Sequence, residues 1–199
     1  MEFHEVVRRR RMVRRFLDRP LPPGALDRVL AAALRGPSAG FAQGTDLLVL
    51  EGAATARYWE VTLPPGRRAA FPWPGLLVAP ALVVAVANPT AYVARYAEPD
   101  KVATGLGGGV EAWPVPYWFV DTAMAVMLVL LAAVDEGLGA SFFGVFEHEP
   151  AVKEAFGVPS DRRLVGTIAI GHPDPADRPS RSASRPRRST GDVIHRGRW

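Results

Sequence analysis

The most informative stretch of the sequence is FVDTAMAVMLVLLAAVDE, residues 119–136, which runs directly into GLGASFFG, residues 137–144. Apolar side chains fall on nearly every side of this helix-length segment, which indicates a helix buried all round, and Gly137 is typical of the left-handed residue that ends a helix. Its charge-free part, Thr122–Val134, has only 13 residues, whereas spanning a bilayer takes about 20. The sequence therefore predicts a central core helix rather than a membrane span.

Shorter segments on both sides of this helix predict the other layers. Apolar and β-branched runs predict strands at Asp46–Leu50, Ala81–Ala87, Ser141–Phe146 and Leu164–Gly171. Apolar residues at helical spacing predict helices at Leu26–Leu34 and Pro150–Phe156. Strands separated by helices are typical of a layered domain, so we expect a single domain over residues 1–199.

Basic residues are concentrated at the two ends of the chain. Of the 24 Lys and Arg, 22 are Arg, with seven in residues 8–19 and seven in residues 178–198. Residues 20–177 carry ten basic and 16 acidic residues, although the whole chain has a formal net charge of +4. The planar Arg fork binds phosphate oxygens in pairs, so the clusters fit an anion clamp. Solvated tails, or a basic-tailed nucleic-acid-binding domain without a cofactor, fit them as well.

The C-terminal segment differs in composition from the rest. From Pro173 the chain is rich in Pro, Ser, Asp and Arg, and apolar residues return only at Val193, Ile194 and Trp199. We therefore expect an extended basic arm over residues 173–199 whose far end rests on an apolar surface.

Several classes of site are excluded by residue content. The chain has no Cys and only four His, which excludes disulfides, Cys-ligated metals and thiol nucleophiles and leaves no metal site to expect. Ser38 lacks the flanking glycines of a nucleophile elbow. We expect no catalytic side chain; an organic cofactor would carry the chemistry. No apolar leader follows Met1, so we expect a cytoplasmic protein.

A glycine-rich segment, Gly105–Gly109, precedes Trp113, Tyr117 and Trp118. It does not match a dinucleotide-binding loop, because no predicted strand precedes it and Val110 replaces the third glycine. It is either a flexible surface loop or a mobile lid whose aromatic rings cover a flat ligand. In the second case Trp113, Tyr117 and Trp118 are substrate-lid residues.

Five motifs, in order along the chain, resemble those of the nitroreductase family. Arg10–Phe16, RRMVRRF, resembles the family's Arg-Arg-Ser-Val-Arg-x-Phe opening, and Gly36–Gln43, GPSAGFAQ, resembles its Ala-Pro-Ser-Ala-x-Asn-x-Gln loop. Gly137–Gly144 is similar to its Gly-Leu-Gly-Ser-x-Trp-x-Gly segment. The remaining matches are Phe156–Pro159 with the strand end Ile168–Pro173, and the C-terminal segment Arg185–Trp199.

The resemblance implies an α+β fold of three layers, with helices flanking a central mixed β-sheet and an extended C-terminal arm. It also implies an FMN-dependent oxidoreductase that is an obligate homodimer, with each flavin at the subunit interface and touched by both chains. Neither a nucleic-acid partner nor a membrane is expected.

Carried over to this sequence, the resemblance implies four groups of FMN-binding residues. The phosphate and the ribityl or polar ring edge would be met by Arg10, Arg11, Met12 and Arg14. The C-terminal arm would close on the phosphate with Arg185 and Arg187. The ring would be contacted from the other subunit by Pro37, Ser38, Ala39 and Phe41. The ring face near its redox nitrogen would be lined by Phe142, Phe143 and Gly144.

The resemblance further implies ping-pong chemistry, in which NADH or NADPH passes a hydride to the flavin and a nitroaromatic, quinone or similar flat acceptor then takes its place. Two residues depart from the family pattern: Met12 stands where Ser is usual, and Phe41 stands where Asn is usual. Each change removes a hydrogen-bonding side chain. A flavin or deazaflavin storage protein with little turnover is therefore an alternative interpretation.

Overall fold

The computed structural model describes all residues 1–199, and a four-stranded antiparallel sheet lies at its centre. The strands are β1 (Thr45–Glu51), β2 (Ala81–Ala87), β3 (Gly139–Phe143) and β4 (Arg163–Gly171), and their order in the sheet is β1-β2-β4-β3. All three neighbouring pairs are antiparallel. The expectation of a mixed sheet is therefore wrong in this detail. The connection from β1 to β2 and the connection from β3 to β4 each begin and end at the same end of the sheet, which makes the paired strands antiparallel. The one parallel pairing is a single bridge, Met12 to Ala140.

Seven α-helices surround the sheet, and the α+β class is confirmed. They are α1 (Phe3–Arg9), α2 (Ala25–Ala31), α3 (Ala53–Thr62), α4 (Pro65–Arg68), α5 (Pro89–Tyr96), α6 (Tyr117–Asp135) and α7 (Glu149–Phe156). The predicted strand at Ser141–Phe146 is shorter than expected, because a 3-10 turn at Phe146–His148 follows β3 and Phe146 has a φ of 49°.

The sheet is the middle layer of three, and β2 shows why. Every residue of β2 is apolar and buried. Ala81, Val83 and Ala85 face α2 and α6, whereas Leu82 and Val84 face α3 and α7. Because side chains alternate between the faces of a strand, the unbroken apolar run of β2 reflects cover on both sides.

Helix α6 is the predicted central helix, and it ends as predicted before Gly137, whose φ is 73°. One side packs on the sheet through residues such as Val129 and Ala133. The stripe formed by Val120, Met124 and Met127 is exposed, so the prediction of a helix buried all round is wrong for this side. By length and composition alone α6 is apolar enough to span a membrane.

The C-terminal arm, residues 173–199, is attached at its root and exposed beyond it. A bridge joins Pro173 to Phe16, and the Asp174 amide donates to the Arg15 carbonyl at 3.0 Å. Trp199 is 98% exposed, and its ring contacts only the His195 ring, 4.2 Å away. The far end of the arm therefore has no apolar surface of its own chain beneath it.

Candidate cofactor site

The N-terminal Arg segment lies along the free edge of β3. The amide of Val13 donates to the Ala140 carbonyl at 2.9 Å, and the Phe142 amide donates to Met12 Sδ at 3.4 Å. The structure thereby brings together two sequence motifs that are about 130 residues apart. Met12 and Val13 of the Arg segment therefore lie beside Ala140 and Phe142 of β3.

The three Arg side chains of this segment differ in their partners. Arg11 pairs with Asp177, a buried carboxylate at the root of the arm, and the other oxygen of Asp177 accepts the Arg14 amide at 3.0 Å. Arg11 thus ties the arm to the Arg segment, and its expected role at a phosphate stays a prediction. No acidic side chain pairs with Arg10 or Arg14, both of which are half-buried.

The guanidinium of Arg14 lies over Trp73, which forms part of the wall of a pocket. Its only hydrogen bond is a long one, 3.4 Å, to the Met12 carbonyl, and its Cζ lies 5.6 Å from the ring centre of Trp73. Two half-buried cations without acidic partners can accept a dianion such as a phosphate through charge-assisted hydrogen bonds.

Beyond Trp73 lies a cavity of about 320 Å³, which we call the aromatic pocket. It lies between α3, the segment that follows α3 and the turn after β3, and its wall includes Trp59, Phe71, Trp73, Phe143 and the backbone of Gly144. The Trp59 and Phe143 rings stack at 5.8 Å with an angle of 17°. A largely apolar cavity with few polar groups is typical of a site for a flat organic ligand.

Phe142 and Phe143 were expected to line one surface, and this expectation is wrong. Phe142 packs on the α6 side of the sheet and Phe143 on the α3 side, because neighbouring residues of a strand point to opposite faces. Gly144 remains at the pocket, where a Cβ would lie 2.4 Å from the ring of Phe146. Only Phe143 and Gly144 therefore contribute to the aromatic pocket.

The second half of the predicted site is the loop of residues 36–44, which we call the Ser-Ala loop. The Ala39 amide donates to Asp121 Oδ2 at 2.8 Å, and the Gln43 amide donates to Ser38 Oγ at 3.0 Å. Gly40, Phe41 and Gln43 have φ values of 59°, 58° and 51°. This left-handed geometry is unusual for a bulky residue such as Phe. Pro37, which comes earlier in the loop, is exposed.

Helix α5 and Asp121 hold this loop in place, a role that the sequence had not indicated. Asp121, 3% exposed, also accepts the Tyr92 hydroxyl at 2.8 Å. Burial raises the pKa of Tyr92, and its hydrogen bond to Asp121 raises it further. Arg95 donates to the Gly40 carbonyl at 2.8 Å, and a Cβ on Gly40 would lie 2.8 Å from the ring of Tyr96. Residues 92, 95 and 96 share one face of α5, which is the signal that could have identified them.

The predicted lid residues form the floor under this loop. Trp113 and Trp118 are each 7% exposed and pack with Tyr92 in an aromatic cluster, which Ala39 also contacts. Trp113 Nε1 donates to the Leu106 carbonyl at 3.0 Å. Trp113 and Trp118 are therefore packed core side chains rather than parts of a lid, and only Tyr117 is exposed.

Comparison with known proteins assigns this geometry to a family. The sequence profile of the nitroreductase family matches residues 7–172. This chain belongs to the nitroreductase family. A relative from Archaeoglobus fulgidus, named "Putative NADH dehydrogenase/NAD(P)H nitroreductase", is 25% identical over 194 residues, which are 96% of this chain and 94% of the relative. The chain is accordingly an oxidoreductase.

Solved structures of the nitroreductase fold superpose on it. Nitroreductase CinD from Lactococcus lactis, solved in complex with nicotinic acid, has a TM-score of 0.77 at 16% identity, with 98% of each chain covered. An FMN-dependent nitroreductase from Clostridium difficile R20291 has a TM-score of 0.68 at 19% identity, also over 98% of each chain. At these identities the similarity concerns the fold.

In this nitroreductase-family chain the Ser-Ala loop and the N-terminus of the chain lie at opposite ends of α6. The Ser-Ala loop is bound to Asp121 in the first turns of α6, whereas the N-terminus, which leads into the Arg segment, pairs with Asp135 in its last turn. Residues 121 and 135 are about 21 Å apart along the helix at 1.5 Å per residue. Arg185 and Arg187 are exposed on the arm and join neither half within one chain.

Proposed function

We propose that the protein is an FMN-dependent oxidoreductase that uses NADH or NADPH to reduce nitroaromatics, quinones or similar flat acceptors. The observation that carries the proposal is a pair of half-buried cations without acidic partners, Arg10 and Arg14, of which Arg14 lies over Trp73 in the wall of the aromatic pocket. A phosphate-bearing ligand with a flat ring system matches both features.

The residues present fit FMN. Arg10 and Arg14 would hold the phosphate, since their guanidiniums have no acidic partner, and Arg185 and Arg187 would close on it from the arm. The ring would lie against Phe143 and Gly144 at the mouth of the aromatic pocket, taking the place of the exposed Phe146 ring that packs on Gly144. Pro37, Ser38, Ala39 and Phe41 would approach the ring from a second chain. Glycine permits the close approach of backbone to a flat ligand.

The chain's own contribution is binding, orientation and exclusion of water. FMN, when bound, supplies a hydride acceptor for the reduced nicotinamide and an electron donor for the acceptor. Arg14 is permanently charged and lies against Trp73, so it links the phosphate position to the wall of the pocket. The stacked rings of Trp59 and Phe143 would exclude water from one side of the flavin ring, which strengthens electrostatic contacts within the site.

We propose further that the site is completed by a second copy of the chain. The exposed stripe of Val120, Met124 and Met127 runs along α6 from the end that holds the Ser-Ala loop towards the end that pairs with the N-terminus. Two α6 helices packed antiparallel through this stripe, about a two-fold axis, would bring the Ser-Ala loop of one copy to the Arg segment of the other. A two-fold interface uses the same surface on both copies, so both sites would be completed at once. The exposed apolar end of the arm would then find its cover on the second copy.

The test is the visible spectrum of the purified protein, recorded before and after adding NADH or NADPH without oxygen. We expect a yellow protein whose flavin absorption is bleached by the nicotinamide and restored by a quinone. A yellow protein that is not bleached would favour a flavin-storing protein. A colourless protein that takes up no FMN, and binds polyanions with a steep salt dependence, would favour the nucleic-acid alternative.

A further inference from the structure

We propose that Phe41 is a specificity-determining residue, an aromatic platform on which flat aromatic acceptors stack. The inference rests on the proposed function, because the Ser-Ala loop would reach the flavin only across the interface of two copies. It concerns what the site prefers rather than which cofactor it holds.

The first observation is that the Phe41 ring is presented to solvent from a constrained backbone. Its side chain is 71% exposed, and its φ is 58°. A bulky residue rarely adopts this conformation, and such outliers persist where the surrounding structure imposes them. Packing does not account for the geometry, since the ring is not part of any buried cluster.

The second observation is that the backbone before Phe41 is fixed from two directions. Asp121 accepts the Ala39 amide, and Arg95 donates to the Gly40 carbonyl, both at 2.8 Å. Arg95 is in turn held by two hydrogen bonds of 2.7 Å to Asp100. The loop is therefore ordered before any ligand arrives, so binding does not have to order it.

The chemistry of the side chain defines the class of ligand. A phenyl ring offers neither a hydrogen-bond donor nor an acceptor, so its contribution is contact area and ring stacking. Flat aromatic molecules, such as quinones, nitroaromatics and the nicotinamide ring, can use both. Compact, non-aromatic acceptors cannot. In the proposed two-copy arrangement, Phe41 of one copy would lie beside the flavin held by the other, and a flat ligand would stack on it there.

The experiment compares Phe41→Ala, Phe41→Leu and Phe41→Tyr in the flavin-loaded protein. Phe3→Ala is the matched control, because Phe3 is the same residue type and is 73% exposed on α1. One readout is the dissociation constant of nicotinic acid, a redox-inert flat probe, from its effect on the flavin absorption. The other is KM and kcat for a planar quinone, with ferricyanide as the non-aromatic acceptor.

We expect Phe41→Ala and Phe41→Leu to raise both the nicotinic acid dissociation constant and the quinone KM by about five- to tenfold, the effect of one lost ring contact. The quinone KM should rise at least about fivefold more than the KM for ferricyanide, because an effect that acts through the flavin is shared by both acceptors. Phe41→Tyr, which keeps the ring, and Phe3→Ala should resemble the unmodified protein.

The outcomes separate this inference from the proposed function. If the protein is yellow and dimeric but Phe41→Leu binds nicotinic acid and quinone as the unmodified protein does, the platform is overturned and the proposed function stands. If the quinone KM and the ferricyanide rate change together, Phe41 affects the cofactor rather than acceptor choice, which also overturns it. If no flavin binds, both proposals fail.

Discussion

Replacing Asp121 with Asn should release the Ser-Ala loop from α6. Asp121 is 3% exposed and accepts two hydrogen bonds of 2.8 Å, from the Ala39 amide and the Tyr92 hydroxyl. Both donors bond to the same atom, Asp121 Oδ2, so Asn can accept both through its amide oxygen, but without the negative charge. A hydrogen bond to a charged group contributes about 1.5–3 kcal/mol and a neutral one about 0.5–1.5 kcal/mol, so weakening both bonds by about 1–2 kcal/mol each should cost about 2–4 kcal/mol.

The assay is thermal unfolding, combined with hydrogen exchange at the Ala39 amide. For a chain of this size, about 1 kcal/mol corresponds to about 2–4 °C, so the Tm should fall by about 5–15 °C. Exchange at Ala39 should accelerate more than exchange in the sheet. The matched control is Asp135→Asn, the same substitution at the exposed end of α6, where Asp135 pairs with the N-terminus. Its cost should stay within about 1 kcal/mol, as for other surface pairs.

A double-mutant cycle sharpens the test. Tyr92→Phe removes the other donor to Asp121, so the combination with Asp121→Asn should cost less than the sum of the single changes by about 0.5–3 kcal/mol. Equal Tm values for Asp121→Asn and Asp135→Asn, or strictly additive costs in the cycle, would refute the reasoning that Asp121 anchors the loop through Tyr92 and Ala39.

Three further outcomes are expected. Arg14→Ala should weaken FMN binding, measured by flavin titration of the apoprotein, by about 10- to 100-fold. Arg19 is an exposed Arg of the same cluster, so Arg19→Ala should leave FMN binding unchanged. Equal effects of the two changes would contradict a phosphate site at Arg14. Met127→Glu should place two carboxylates in the proposed seam and halve the mass measured by light scattering without unfolding the chain; an unchanged mass would move the interface elsewhere. Burial raises the pKa of Tyr58 to about 12, opposed by its hydrogen bond with Thr167. Because the pKa of Tyr58 in the folded protein lies above the unfolded value near 10, its contribution to the free energy of unfolding, about 2–3 kcal/mol, is present below pH 10 and lost towards pH 12. Tyr58→Phe should therefore flatten the fall in Tm between pH 10 and pH 12. An unchanged slope of Tm against pH would contradict this role of Tyr58.

Local patterns were enough to predict the elements that carry most of the fold. The apolar run before Gly137 predicted α6 and its end, and the β-branched run at Ala81–Ala87 predicted β2 with its bounds. The pairing of the Arg segment with β3 was not predicted, because no local pattern relates residues 130 positions apart.

Other features depend on three-dimensional context that a local pattern does not contain. Apolar residues on all sides of α6 predicted burial all round, but periodicity does not tell whether the sheet or a second chain provides the cover. Trp113 and Trp118 follow a glycine-rich segment, which suggested a lid, yet their burial depends on Tyr92 of another helix. Arg11 was assigned to the phosphate by its place in the motif, and its buried partner Asp177 lies 166 residues away.

The separate faces of Phe142 and Phe143 could have been predicted. Strand alternation requires adjacent residues of β3 to point in opposite directions. Asp121, a carboxylate among the apolar residues of α6, was a similar signal, since a buried charge requires hydrogen-bond partners. Both were visible in the sequence beside the stronger pattern of α6.

The central claim is that one flavin site is built from two copies of this chain, and light scattering with in-line visible absorbance tests it most directly. The account predicts one peak with twice the 21.5 kDa mass of the chain, carrying two flavins. A peak of 21.5 kDa with bound flavin would show a site complete within one chain, and a colourless dimer would show an interface without the cofactor. Either result would contradict the account.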